Sequence, residues 1–111
     1  MKEGITTMHF VLLASHTPET CPTSNSKTRE VLLKGAPEMP DLARRLGVKI
    51  IAGPLVNREH LVVLVAEAAK VEAIDQFISE SGMAQWNSVR VLPSLTMEEG
   101  LKEVAAMKPI F

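Results

Sequence analysis

The chain has 111 residues, of which 46% are hydrophobic and 23% are charged, and its formal net charge is −1. This length suits one domain, and the composition is that of a folded protein rather than a disordered one. The near-neutral charge argues against the basic surface that nucleic-acid binding requires, and the apolar runs are too short to span a membrane. We therefore expect neither nucleic acid nor a membrane as a partner.

The cysteine content indicates the cellular compartment of the protein. Cys21 is the only cysteine, so no intramolecular disulfide can form, and a lone thiol fits a reducing environment. The apolar run Phe10 to Ala14 is shorter than the ~7–15 residues of a secretion signal. We expect a cytoplasmic protein in which residues 1–7 form a short N-terminal tail and residues 8–111 form one domain.

The first half of the chain predicts a strand, two helical pieces and a second strand. The first strand runs from His9 to Ser15 and has an unbroken apolar centre. After a polar stretch, a helix begins near Lys27, and a second helical piece covers about Pro40 to Leu46. The second strand, Val48 to Val56, contains Gly53-Pro54. Because proline cannot donate a ladder hydrogen bond, this strand is expected at a sheet edge.

The second half predicts two further strands and two helices. The third strand, His60 to Ala66, is apolar without alternation. A helix follows from about Ala69 to Ser81, and a fourth strand, Trp86 to Leu92, alternates in part. The last helix opens with the capping box Thr96 to Glu99 and runs to about Met107.

The order of these elements predicts an α+β fold, ferredoxin-like β-α-β-β-α-β with a C-terminal helix. The first and third strands are apolar on both faces, so we expect them in the centre of one antiparallel sheet. The two long helices cover only one face of that sheet. The other face would expose more apolar surface than a monomer usually tolerates, so we expect a homodimer that packs sheet to sheet.

This strand order gathers chemically active side chains at one rim of the sheet. His16 follows the first strand, while His60 and Trp86 open the third and fourth strands. The loop after His16 brings Cys21 to the same rim, and His9 lies at the opposite end. Two histidines, the thiol and the only indole are therefore expected to converge.

Several kinds of site fit this rim. Imidazole and thiolate are common ligands of zinc, copper and iron, so His16, Cys21 and His60 are candidate ligands of a transition metal. The same three are candidate catalytic residues, as a thiol activated by imidazole or as a histidine general acid or base. A purely structural rim is the alternative. The neighbouring residues expected to bind a small-molecule ligand are Asn25, Asn57, Arg58 and Trp86.

Three stretches carry a family resemblance. They are His16 to Glu19 with Cys21 to Asn25, then Asn57 to His60, and then Gln85 to Glu99. These stretches look like parts of a group of small bacterial and archaeal proteins known only as a domain of unknown function. The order of elements over Met8 to Met107 resembles the dimeric α/β-barrel superfamily. That resemblance implies two ferredoxin-like sheets packed face to face, but it carries over no catalytic residue, because these differ from family to family.

Three functions follow as hypotheses. The leading one is a small-molecule-binding protein or small enzyme with a His/Cys/Trp site at the rim, which predicts a pocket there. The second is a non-enzymatic dimerisation or interaction module, which predicts a packed rim with no cavity. The third is a cofactor-free monooxygenase-like enzyme, which needs a deep apolar cavity. The sequence assigns no substrate, and a transition metal is the only cofactor that its residues indicate.

Overall fold

The computed structural model describes residues 6–111, so residues 1–5 of the predicted tail lie outside the described residues. The described part is an α+β domain with one four-stranded antiparallel sheet. The strands are β1 (Met8–Ser15), β2 (Lys49–Leu55), β3 (Leu61–Ala68) and β4 (Ser88–Ser94). The helices are α1 (Ser26–Gly35), α2 (Met39–Leu46), α3 (Val71–Glu80) and α4 (Met97–Ala106), with short 3-10 turns at Pro18–Thr20, Ala36–Glu38 and Met83–Gln85.

The sheet has the order β2-β3-β1-β4, and every neighbouring pair is antiparallel. The two uninterrupted apolar strands lie in the centre, as predicted, and the order is compatible with a ferredoxin-like fold. The β2 strand pairs irregularly around Gly53, which has a φ of +90°. A Cβ at this position would lie 2.5 Å from the carbonyl oxygen of Val63, so only glycine fits.

The core lies between the sheet and the helices on one of its faces. Alternate residues of β1 and β3 point to this face and are inaccessible to solvent, among them Phe10, Leu12 and Leu64. They pack in one cluster with Ile74 and Phe77 of α3, which are also fully buried. Burial of each large apolar side chain contributes about 1.5–3 kcal/mol, so this cluster holds α3 to the sheet.

The helical layer is less complete near the rim. The helix α3 buries three residues, whereas Thr28 is the only buried residue of α1. Val31 and Leu32 of α1 are only partly covered. The helix α1 therefore leaves space between itself and the sheet.

The other face of the sheet remains open in the described chain. Leu92, Val11 and Val65 are neighbours across β4, β1 and β3, and Leu13 pairs with Val63 in the next row. All five aliphatic side chains are only partly buried. This row of half-exposed aliphatic groups is the surface that the sequence predicts to be covered by a second copy.

The helix α4 adds little to the packing of the body. It begins with the predicted capping box, in which Thr96 Oγ1 accepts from the Glu99 backbone N–H at 3.1 Å and the Glu99 side chain accepts from the Thr96 N–H at 2.8 Å. Its apolar residues Met97, Leu101 and Val104 are 76%, 60% and 70% exposed. The radius of gyration is 16.4 Å, against ~13 Å for an ordinary domain of this size. The excess reflects a flat body with a projecting helix.

All helices of the described chain are short. The longest have ten residues, or about 15 Å, which is half of the ~30 Å hydrocarbon core of a bilayer. Within residues 6–111, no helix is therefore able to cross a membrane.

The helix α2 ends at Gly47, as predicted. The left-handed φ of this glycine, +76°, returns the chain to β2.

The strand starts differ from the prediction by one or two residues, and two of these differences concern residues of the rim. Trp86 is predicted to open β4, but it ends the 3-10 turn, and β4 begins at Ser88. The backbone N–H groups of Trp86 and Asn87 donate to the carbonyl of Met83, which takes both residues out of the ladder. His60 is predicted to open β3, but it precedes the strand with a φ of +58°. Turn hydrogen bonds thus decide both boundaries.

Candidate functional site

The rim at the end of β1 brings two imidazoles, a thiol and an indole together, as the strand order predicts. The ring centroids of His16 and His60 are 5.3 Å apart, and those of His16 and Trp86 are 5.0 Å apart. The ligand atoms of His16, Cys21 and His60 all lie within 4.8 Å of one another. His9 lies at the other end of β1. The three side chains form an arrangement in which a metal ion could bind.

Loop hydrogen bonds hold Cys21 in place after β1. Its carbonyl accepts the backbone N–H of Asn25 at 2.8 Å. The Arg29 side chain donates to the carbonyls of Pro22 and Thr23, at 2.8 Å each. Cys21 is only 8% exposed. The thiol thus projects from a loop whose backbone is fixed by several hydrogen bonds.

The surroundings of Cys21 favour its ionised form. Thr23 Oγ1 lies 3.1 Å from Cys21 Sγ. Hydrogen bonds from the Thr23 side chain and backbone lower the pKa of Cys21 to about 6, with smaller decreases from His16 and His60 and an opposing increase from burial. Because the thiolate is the form that ligates metals and attacks electrophiles, this site suits either role.

A tight turn before β3 positions His60. Asn57 Oδ1 accepts the backbone N–H groups of Glu59 at 3.0 Å and Leu61 at 3.2 Å, and its Nδ2 donates to the Leu61 carbonyl at 2.6 Å. The backbone N–H of His16 donates to the His60 carbonyl at 3.1 Å, which joins the turn to the end of β1. A left-handed φ costs energy outside glycine and persists only where neighbours enforce it, which is common at functional sites.

Asn87 determines which nitrogen of His16 is free. Its Nδ2 donates to the Met83 carbonyl at 3.1 Å, so its Oδ1 faces His16 Nδ1, at 2.9 Å. A carbonyl oxygen only accepts, so in the neutral ring of His16 the proton is on Nδ1 and the lone pair is on Nε2. Metal-ligating histidines are commonly oriented by such a bond at the other nitrogen.

An apolar cavity of about 290 Å³ adjoins this rim, between α1 and the sheet. His16, Cys21 and Trp86 line it, and none of its described lining residues is Lys, Arg, Asp or Glu. The main apolar lining residues are Val31, Leu32, Met39, Val56, Val62 and Met83. The cavity between α1 and the sheet therefore has imidazole and thiol groups in its wall.

The predicted ligand-binding residues fall in different places. Trp86 and Asn57 line the cavity, whereas Asn25 and Arg58 do not. The Asn25 amide is used to cap α1, because it accepts the Thr28 N–H at 3.0 Å and donates to the Glu19 carbonyl at 2.9 Å. Arg58 is exposed in the turn. His60 also lies outside the cavity lining and meets the site through His16 and Cys21.

Sequence reasoning missed three contributors to the site. Thr23 bonds the thiol, and the Cys-x-Thr spacing is the one signal that indicates it. Asn87 is a rim residue beside Trp86, but nothing in the sequence indicates its bond to His16. The α1 wall has no sequence signal, since Val31 is an ordinary apolar helix residue.

Comparison with known proteins finds no family model that matches this chain and no significant match among curated proteins.

Proposed function

We propose that the protein binds a transition metal through His16, Cys21 and His60 and uses the adjoining cavity for a small-molecule ligand. The observation that supports this most is the approach of the three ligand atoms to within 4.8 Å of one another at the wall of an apolar cavity. The hypothesis of a pure interaction module predicts a filled rim, so the cavity argues against it. A reaction of a ligand bound in the cavity would take place at this wall.

The donor set favours a borderline to soft metal. One thiolate and two imidazoles match zinc, cobalt, copper or iron and are a poor match for magnesium or calcium, which prefer oxygen. Three protein ligands leave a fourth position of a tetrahedral site for water or substrate. When bound, such a metal would act as a Lewis acid or generate a nucleophilic hydroxide.

The environment of the ligands supports the same proposal. The bond from His16 Nδ1 to Asn87 makes Nε2 the nitrogen that would ligate a metal, and the hydrogen bonds of Thr23 favour the thiolate form of Cys21. Ligands must lose their protons before they bind a metal, so both features lower the cost of binding. The two residues are therefore prepared for a metal before it arrives.

The test is a titration of metal-free protein with Co²⁺, followed by absorption spectroscopy. We expect one equivalent to bind and to produce a thiolate-to-cobalt charge-transfer band, since Cys21 is the only thiol. Cys21→Ser keeps the size of the side chain but removes the thiolate, so it should lose the band and weaken binding. Absence of stoichiometric binding to the wild type at micromolar protein would overturn the proposal.

A reactive thiol is the second candidate function, and the lowered pKa of Cys21 favours it. Without a metal, the thiolate beside two imidazoles would act as a nucleophile or redox group, with the cavity holding its substrate. Either role needs a reduced thiol, which fits the cytoplasm. The cobalt titration separates the candidates, because a thiol enzyme would react with alkylating agents yet bind no metal.

We propose further that the open sheet face packs against a second copy of the chain, as in a dimeric α/β barrel. A stable interface buries about 800 Å² per partner. Four strands about 4.8 Å apart, each of seven or eight residues, cover roughly 500 Å². The exposed apolar residues of α4, such as Leu101 and Val104, are further surface that a second copy would cover.

Light scattering after size exclusion tests the dimer. The wild type is expected at twice the chain mass of 12.1 kDa. Val65→Lys places a charge in the centre of the open face and should shift the protein to the monomer. Leu33→Lys is the matched control, because Leu33 is 67% exposed on α1, away from that face. A wild type that stays monomeric at tens of micromolar would contradict the proposal.

A further inference from the structure

The walls of the cavity leave very few groups to recognise a ligand. Thr23 is bonded to the thiol, and the Asn57 amide is bonded within its turn. The Ser81 hydroxyl donates to the Ile78 carbonyl and accepts the Met83 N–H. Two polar lining side chains remain besides His16 and Cys21: the Asn87 amide is bonded at both ends, and the Trp86 indole, an N–H donor, lies beside the His16 ring. The polar part of a ligand is therefore restricted to the wall of His16, Cys21 and Trp86.

The volume of the cavity limits the size of the ligand. About 290 Å³ is at the small end of ligand pockets. With ~30 Å³ for each water-sized group, it holds roughly ten non-hydrogen atoms. An aliphatic chain of about eight carbons with one polar head has this size, and the apolar lining favours such a chain.

The charge of the ligand follows from the groups at the polar wall. No described lining residue is a lysine or arginine, so the walls alone cannot neutralise an anion. A divalent metal with one thiolate and two neutral imidazoles has a net charge of +1. An anionic oxygen donor at the fourth position would bring that charge to zero, which is strongly favoured where the dielectric constant is low.

We propose that the cavity binds a medium-chain monocarboxylate, with its apolar tail along α1 and its carboxylate at the metal held by His16, Cys21 and His60. This inference rests on the proposed metal site for the charge of the head group. The cavity alone accounts for the length and apolar character of the tail.

The experiment compares two probes of equal size, octanoate and nonan-2-one, with and without one equivalent of Zn²⁺. Trp86 lines the cavity and is the only tryptophan in a chain without tyrosine, so its fluorescence reports binding directly. We expect Zn²⁺ to tighten octanoate binding by at least about tenfold and ketone binding by less than about threefold, because only the carboxylate gains the charge interaction.

A cavity-filling variant checks where the probes bind. Ala36 lines the cavity and is itself exposed, so Ala36→Phe should fold and should weaken both probes about tenfold or more. Leu33→Phe, on the exposed side of α1, should leave both affinities unchanged. Probes that bind Ala36→Phe as well as the wild type would place the ligand elsewhere and overturn the inference.

The outcomes separate this inference from the proposed function. If Zn²⁺ does not bind in the fluorescence titration without probe, the metal site itself fails, and with it the carboxylate. If Zn²⁺ binds but octanoate and nonan-2-one are affected alike, the metal site stands and the carboxylate ligand is wrong.

Discussion

The helical layer of this protein has two unlike halves. Over the α3 half, Ile74 and Phe77 are fully buried and fill the space above the sheet. Over the α1 half, the helix buries only Thr28, and a cavity of about 290 Å³ remains under Val31 and Leu32. Both halves rest on the same two central strands.

The difference separates the part of the helical layer that stabilises the fold from the part that borders the candidate site. Closely packed interiors resist change because each side chain contacts many others. The α3 half therefore supplies the stability of the fold, and the α1 half is free to hold a ligand. The candidate thiol and imidazoles lie at the α1 half. His9 lies away from that half and pairs with Glu67 at 3.6 Å.

The largest expected effect is on folding. Phe77→Ala should lower the free energy of unfolding by about 3–5 kcal/mol, because it leaves a hole in the packed half. Leu32→Ala, which only enlarges an existing cavity, should cost about 1 kcal/mol. Urea denaturation measures both. Equal losses in the free energy of unfolding would mean that the two halves are equally closely packed, which would contradict the structure.

The second effect is on metal affinity. His16→Ala and His60→Ala should each weaken Zn²⁺ binding at least about 100-fold, since even residues that only support a ligand account for 10–100-fold. His9→Ala removes an imidazole from the other end of β1 and should change the affinity less than twofold. Competition with a chromophoric chelator gives the three dissociation constants. A comparable loss in His9→Ala would remove the distinction between the two ends.

A smaller effect concerns the residue that orients His16. Asn87→Leu removes the acceptor at Nδ1 and should weaken Zn²⁺ binding about tenfold. Asn87→Asp keeps an acceptor at Nδ1 but loses the donor to the Met83 carbonyl, so it should weaken the affinity less than Asn87→Leu does. Histidine NMR in the metal-free protein supplies an independent readout, because only Asn87→Leu should lose the Nδ1-protonated tautomer of His16. An unchanged tautomer in that variant would exclude the positioning role.

The smallest expected effect is a shift in the titration of the thiol. Iodoacetamide alkylation of metal-free protein should have its midpoint near the lowered pKa of Cys21, about 6. Thr23→Val removes the largest cause of that lowering and should move the midpoint upward. Thr20→Val is the control, since Thr20 Oγ1 bonds Thr17 rather than the thiol. A midpoint that does not move would assign the lowered pKa to another cause.

The same pKa predicts a pH dependence of stability. The folded-state pKa of Cys21 lies below its ordinary value of 9.0, so ionisation stabilises the folded state. That contribution is fully present above pH 9 and is lost as the pH falls through about 6. The stability of the wild type relative to Cys21→Ser should therefore rise between pH 6 and pH 9.

Much of the fold was predictable because its signals are local. The unbroken apolar strands predict the central pair, and Pro54 predicts the edge position of β2. Gly47 and the capping box at Thr96 predict helix ends, because each satisfies backbone groups within a few residues. The sequence predicts Trp86 and His60 within strands, but turn hydrogen bonds hold them just outside.

The pattern of apolar strands is enough to assign His16, His60 and Trp86 to one end of the sheet, because strand order brings them there. What these residues can do depends on contacts that form only in the folded chain. The bond from Asn87 to His16, the bond from Thr23 to the thiol and the cavity under α1 depend on loop geometry and on how far a helix stands from a sheet. No periodic pattern encodes such distances, because periodicity reports which face a residue is on and not what it meets there.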